Sequence, residues 1–214
     1  MSKLVSLDII LSVCMITSII LNILGFVVFL FIFWKRLKED YLASQVFTSA
    51  IYIATATFGL YLISLRWAFG WWFWLGFLGF VLGVLLSTVR YRLRFYETFE
   101  AAVIAFFPWL SLVFLSDAIN NKSYFSLGFS LASLVFIFLF GFLNSRYKDF
   151  GWYKSGRIGF AGLTTLGIFF LTRGAIAIIL PFMLSFVRDW ETILSGFTAF
   201  FIFLAVFNLS RQSV

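Results

Sequence analysis

Long runs of apolar residues, separated by short polar stretches, follow one another along the whole chain. Each run has about the 20 residues that a helix needs to cross the hydrocarbon core of a bilayer. The runs are continuously apolar and do not alternate strictly with polar residues, which favours helices over the strands of a membrane barrel. We therefore predict one all-α transmembrane domain over residues 1–214. Its seven spanning segments are residues 9–34, 45–65, 71–89, 98–115, 125–143, 158–180 and 192–209.

The basic residues between these segments predict the orientation of the chain, because Lys and Arg concentrate on the cytoplasmic side of membrane proteins. Eleven lie on one side: Lys35, Arg36, Lys38, Arg90, Arg92, Arg94, Arg146, Lys148, Lys154, Arg157 and Arg211. Four lie on the other side: Lys3, Arg66, Lys122 and Arg188. We expect the amino terminus outside and the carboxyl terminus in the cytoplasm. An even number of helices would destroy this alternation, so the charges also support seven.

Composition agrees with a protein embedded in a membrane. The chain is 63% hydrophobic and 12% charged, about half the charged fraction of a soluble domain. Its net charge of +7 is explained by topology and anionic headgroups, so no nucleic-acid partner is expected. The single cysteine, Cys14, is interpreted as a thiol inside the first helix. Histidine is absent, which excludes His-based catalysis and His metal ligands, and neither a metal site nor a cofactor is expected.

Arg173 is the strongest candidate for a functional residue. It lies about 15 residues into the sixth segment, too deep for an ordinary flanking charge, and ionised groups at such depth are costly unless they are partnered. A phospholipid phosphate suits the fork of a guanidinium. Two other roles remain open, namely snorkelling to the outer headgroups and a structural pair with an acidic residue.

Two acidic residues, Glu97 and Glu100, occupy one face at the inner end of the fourth helix. Because three arginines lie just upstream, we expect local ion pairs at the interface in preference to a pair of catalytic carboxylates. At the other end of this helix, Asp117, Asn120, Asn121 and Lys122 predict a polar outer turn.

The third segment carries Gly76, Gly79 and Gly83 at spacings of three and four residues. Small residues at this spacing permit close packing of helices or close approach of a lipid.

Four stretches of the chain resemble the prolipoprotein diacylglyceryl transferases, bacterial membrane enzymes that lipidate lipoprotein precursors. They are Phe33-Trp34-Lys35-Arg36 after the first helix, the glycine-bearing residues 77–86, Arg94-Phe95-Tyr96-Glu97, and the basic loop 150–157 before the helix with Arg173. The resemblance covers roughly residues 20–180 and rests on pattern more than on identities.

The resemblance implies a seven-helix protein of the bacterial plasma membrane, with phosphatidylglycerol and a lipoprotein precursor as partners. The reaction would transfer a diacylglyceryl group to a cysteine of the precursor. Arg173 and Asn120 are the positions that keep polar residues of the family, and they become candidates for binding the lipid phosphate. Glu97, Glu100, Gly79 and Gly83 are secondary candidates.

Two departures from the family bear on activity. The family's histidine falls on Leu78, and one of its arginines falls on Asp117. The chemistry requires a cationic group at the phosphate and a route for the thiol proton. We therefore assign no catalytic residue. The chain either retains lipid transfer through other residues or is a degenerate relative that only binds lipid, and the absence of histidine favours the second interpretation.

Two alternatives from other classes remain. One is a small transporter or channel-like protein, suggested by the deep arginine and the glycine-bearing helices, which would show a polar cavity open to water. The other is a non-catalytic subunit that assembles with another membrane protein through the glycine-bearing helix.

Overall fold

The computed structural model describes residues 2–150, 158–180, 186–187 and 190–211, with side chains from residue 16 onward except that of Phe69. Seven long helices make up the fold: α1 Ser2–Leu37, α2 Ala43–Trp67, α3 Trp72–Tyr91, α4 Phe95–Asn121, α5 Tyr124–Arg146, α6 Phe160–Ile179 and α7 Trp190–Arg211. All seven are long and apolar enough to cross a membrane. The prediction of an all-α fold with seven spanning helices is confirmed.

Helix α4 continues six residues beyond the end of the predicted segment 98–115. Asp117, Asn120 and Asn121 lie in its last turns, so the predicted outer turn over these residues is wrong. Helical spacing brings Asp117 and Asn121 together, and Asn121 Nδ2 donates to Asp117 Oδ1 at 2.7 Å. The chain reverses only at Lys122, whose backbone is left-handed with φ 50°.

The centre of the bundle is formed by α4, which contacts α1, α3, α5 and α6. Small residues cover its inner half, where Ala101, Ala102 and Ala105 are fully buried. Side chains of this size let several helices approach one backbone, because in lipid helix association depends on close packing. Helix α6 is enclosed to the same extent as α4, and it packs on α4, α5 and α7.

The glycines of α3 pack against α2. A Cβ atom at Gly83 would lie 2.7 Å from the Ile53 Cα, and one at Gly79 would overlap the Ala56 carbonyl oxygen. Of the two expectations for these glycines, the structure therefore shows close helix packing. Gly76 differs, since a Cβ there has no neighbouring atom within 4 Å.

An odd number of spanning helices places the two ends of the chain on opposite sides of the membrane. The orientation itself, with the amino terminus outside, stays a prediction from the basic residues. We call "outer" the side of the α2–α3, α4–α5 and α6–α7 connections, and "inner" the opposite side.

The contact between α2 and α3 predicts that Gly79→Leu destabilises the protein by roughly 1–3 kcal/mol or more, the usual cost of overpacking. The added side chain would meet backbone atoms of Ala56 and Thr57, which cannot rotate away. Thermal unfolding in detergent measures the effect. Gly141→Leu, on an open face of α5, is the matched control and should unfold like the parent. Equal stability of both variants would contradict this packing.

Candidate functional site

A buried ion pair joins α6 to α7 near the outer side. The Arg173 side chain is 6% exposed, and its Nε donates to Glu191 Oε1 at 2.5 Å. Glu191 is fully buried and accepts three further hydrogen bonds. Ser195 Oγ donates to Oε1 at 3.0 Å, while Trp74 Nε1 and Val187 N donate to Oε2 at 2.9 and 3.2 Å. These donors, together with Arg173, satisfy both oxygens of the carboxylate and fix its position against the guanidinium. We call these five residues the outer network.

Aromatic rings enclose the guanidinium as well. Arg173 Cζ lies 3.5 Å from the ring centroid of Phe73 and 4.8 Å from that of Phe186, both within the range of cation–π attraction. Of the three roles predicted for Arg173, the structural pair with an acidic residue is the arrangement observed, and the burial of the side chain is incompatible with snorkelling. Phosphate binding stays a prediction, and the charge of Glu191 offsets the cation that it requires.

A second ion pair lies near the inner side of the bundle. Glu100, 4% exposed, pairs with Arg36 at the end of α1, and Arg36 also donates to Asn144 of α5 at 3.2 Å. The backbone N–H of Gly159 donates to Glu100 Oε2 at 2.6 Å and so satisfies a donor just before α6. The expected pairing of Glu100 with the upstream arginines is wrong, because this side chain points into the bundle toward α1 and α6. We call these four residues the inner network.

Glu97 follows the expectation of a local ion pair. It pairs with Arg94 at 3.0 Å, and Tyr41 Oη donates to its other oxygen at 2.8 Å. The backbone N–H of Arg94 donates to Tyr41 Oη at 3.0 Å. Burial raises the pKa of Tyr41, so its phenol remains a neutral hydrogen-bond donor. The hydrogen bond from Arg94 to Glu97 raises the pKa of the Arg94 guanidinium. This cluster fixes the connection between α3 and α4.

Asn120 packs against α1. Its Nδ2 donates to Ser18 Oγ at 2.6 Å, and the Ser18 hydroxyl lies 2.9 Å from that of Ser116. Asn120 Oδ1 is buried and accepts no hydrogen bond from the described residues. The two phosphate-binding candidates thus contact different helices, Asn120 reaching α1 and Arg173 reaching α3 and α7.

A cavity of about 180 Å³ lies between α1, α2, α3 and α4 in the outer half of the bundle. Aromatic side chains make up most of its wall, and no charged side chain of the described residues lines it. The lining residues are Asn22, Thr57, Phe58, Tyr61, Trp72, Phe73, Gly76, Phe77, Phe106, Trp109, Leu110 and Val113. Asn22 of α1 and Phe58 of α2 are exposed, the latter at 54%. The cavity therefore opens between α1 and α2.

The polar groups of this cavity are uncharged. Thr57 donates to Ile53 O at 2.7 Å, and Asn22 Nδ2 donates to Ser18 O at 2.9 Å, both in the i to i−4 pattern of a helix. The Tyr61 hydroxyl has no hydrogen-bond partner within the part of the chain that the structure describes. It is a donor and an acceptor open to a ligand.

The first turn of α3 connects the cavity to the outer network. Phe73 lines the cavity, and its ring also contacts the Arg173 guanidinium. The next residue, Trp74, donates a hydrogen bond to Glu191. Sequence reasoning missed Glu191, which lies one residue before the predicted segment 192–209. It also missed Asn22, although the cost of a polar side chain inside a span was a usable signal.

The fold and the site define a multi-pass, all-helical membrane protein with a lateral, aromatic-walled cavity. No family model, curated protein or solved structure matches the chain.

The outer network predicts that Glu191→Gln destabilises the protein by about 3–5 kcal/mol, the cost of leaving a buried charge without its partner. The double variant Arg173→Met with Glu191→Gln should recover most of this loss, because no unpaired charge is then buried and the amide oxygen of Gln can still accept a hydrogen bond from Trp74 or Ser195. Unfolding in detergent measures both. Glu39→Gln, at an exposed position, is the control and should have no effect. A double variant that is no more stable than Glu191→Gln would show that the two side chains are not energetically coupled.

Proposed function

We propose that this protein binds a lipid laterally from the bilayer, in the cavity between α1, α2, α3 and α4. The observation that carries the proposal is the position of the opening. Phe58 lies nine residues before the outer end of α2, roughly 14 Å along the helix axis, and Asn22 lies inside the apolar stretch of α1. An opening at this depth faces hydrocarbon and admits molecules that are already in the membrane.

The size of the cavity supports binding of part of a lipid. A cavity of about 150 Å³ accepts benzene, so about 180 Å³ accommodates a short segment, with the rest of the molecule in the bilayer. A smaller void of about 20 Å³ adjoins it and shares Phe73, Phe77 and Phe106 as walls. Small rotations of these rings would extend the space toward α6.

The same features argue against the two alternatives. A transporter for polar solutes requires a polar cavity that water can enter, whereas this one has aromatic walls. The glycines of α3 suggested an assembly subunit, but α2 of the same chain packs directly against Gly79 and Gly83. These two glycines are therefore not accessible to a partner protein.

Within this proposal, the protein is a relative of the diacylglyceryl transferases in the bacterial plasma membrane that has kept lipid binding and lost transfer. Three positions support the loss. Leu78, in place of the family's histidine, is 47% exposed on the outside of α3. Asp117, in place of an arginine, accepts hydrogen bonds from Asn121 and Ser126. Arg173 is paired with Glu191. Phosphatidylglycerol and a lipoprotein precursor would be the partners of any residual reaction.

Lipid binding is tested by filling the cavity. Gly76 lines it, and a side chain added there meets no atom within 4 Å at its Cβ. Gly76→Leu should therefore fold normally and lose most of the lipid that co-purifies with the protein, as measured by native mass spectrometry. Gly141→Leu makes the same change on α5, away from the cavity, and should retain the lipid. Equal lipid content in both variants would contradict the proposed site.

Loss of transfer is tested by incubating the purified protein with phosphatidylglycerol and a peptide that carries a lipoprotein lipidation sequence. We expect no lipidated peptide above background, because none of the described residues that line the cavity is a cation that could stabilise a departing glycerol phosphate. Turnover that Gly76→Leu abolishes and Gly141→Leu preserves would instead establish an active transferase.

A further inference from the structure

We infer that the lipid bound in the cavity is uncharged and presents a hydroxyl or ester oxygen to Tyr61, the chemistry of an acylglycerol. This inference rests on the proposed lipid binding and adds the class of the ligand. It depends on three features, which are the absence of charge among the described residues that line the cavity, the unpartnered hydroxyl of Tyr61 and the depth of Tyr61 along α2.

The first feature is the electrostatics of the wall. A phosphate that enters an apolar cavity loses its hydration, and the cost is large unless a cation replaces the water. None of the described residues that line the cavity is charged. Arg173 contacts the ring of Phe73 but does not itself line the cavity, and its charge is offset by Glu191. An anionic headgroup would therefore find no counter-charge, whereas a neutral one needs none.

The second feature is Tyr61, which lines the cavity and whose hydroxyl has no hydrogen-bond partner among the described residues. In hydrocarbon, a polar group without a hydrogen bond costs several kcal/mol. A ligand with an ester carbonyl or a hydroxyl would satisfy Tyr61, and a plain hydrocarbon chain would not. Asn22 places a second uncharged polar group at the opening, where the same headgroup would pass.

The third feature is depth. Tyr61 lies six residues before Trp67, the outer end of α2, roughly 9 Å along the helix axis. A phospholipid keeps its charged headgroup at the interface because burial of the phosphate is costly. A neutral headgroup has no such charge and can descend to this level. The polar end of an uncharged lipid is thus the group that reaches Tyr61.

Two photoreactive probes with the same diazirine-bearing acyl chains test the inference, one a diacylglycerol and the other a phosphatidylglycerol. The full chain is placed in phosphatidylcholine nanodiscs and irradiated, and labelled peptides are identified by mass spectrometry. We expect the diacylglycerol probe to label the cavity segments of α1, α2 and α4, and unlabelled diacylglycerol to displace it. The phosphatidylglycerol probe should label only outward faces.

Tyr61→Phe keeps the ring and removes the hydroxyl, so cavity labelling by the diacylglycerol probe should fall roughly two- to tenfold, the effect of one hydrogen bond. Tyr52→Phe is the matched control on the same helix. Its ring packs on Tyr91 and does not line the cavity, and labelling should be unchanged.

The possible results separate the two proposals. Cavity labelling by the phosphatidylglycerol probe, displaced by unlabelled phosphatidylglycerol, would overturn the uncharged class and leave lipid binding intact. Labelling by diacylglycerol that Tyr61→Phe does not reduce would overturn recognition of the headgroup. Failure of both probes to label the cavity would overturn lipid binding itself, together with the inference that rests on it.

Discussion

A charge inside the hydrocarbon of a membrane has to be neutralised by groups of the protein, and the arrangement of this bundle depends on how that is done. The outer network brings Glu191 of α7 and Trp74 of α3 to Arg173 of α6. The inner network brings Arg36 of α1 and Gly159, which precedes α6, to Glu100 of α4. One end of α6 is thus held through Glu100 and the other through Glu191. Helices far apart in the chain are joined by partners that lipid cannot supply.

The outer network also supports the wall of the cavity. Trp72 and Phe73 line the cavity, while Phe73 and Trp74 contact Arg173 and Glu191 respectively. Three consecutive residues therefore connect the ion pair to the cavity. In the proposed lipid site, Arg173 can thus be necessary without touching the lipid, since it contacts the Phe73 ring that forms part of the wall.

Hydropathy predicts the seven helices because each span requires only a run of about 20 consecutive apolar residues. Such a run can be recognised without knowing what the helix contacts. It does not predict which face of a helix is buried, because lipid and protein interior are both apolar. Phe73 is 6% exposed and Phe58 is 54% exposed, yet both lie in segments apolar enough to span a membrane. The partners of the polar candidates were unpredictable for the same reason. Glu97 finds its arginine three residues away, a distance that sequence reasoning covers, whereas Glu100 finds Arg36 sixty-four residues away through the packing of α1 on α4.

The distribution of polar groups distinguishes recognition of a lipid from reaction with it. Diacylglyceryl transfer requires a cation at the phosphate and a proton acceptor at the thiol, both directed at one molecule. Here Arg173 is held by Glu191 in the outer network, while Asn120 donates to Ser18 on α1. Tyr61, whose hydroxyl has no partner among the described residues, lines a cavity whose described lining carries no charge. A phenol in such surroundings can donate a hydrogen bond to an ester or hydroxyl oxygen and supplies no charge to a departing phosphate. Under the proposed function, the cavity therefore selects a lipid, and the Arg173–Glu191 pair keeps Phe73 of its wall in position.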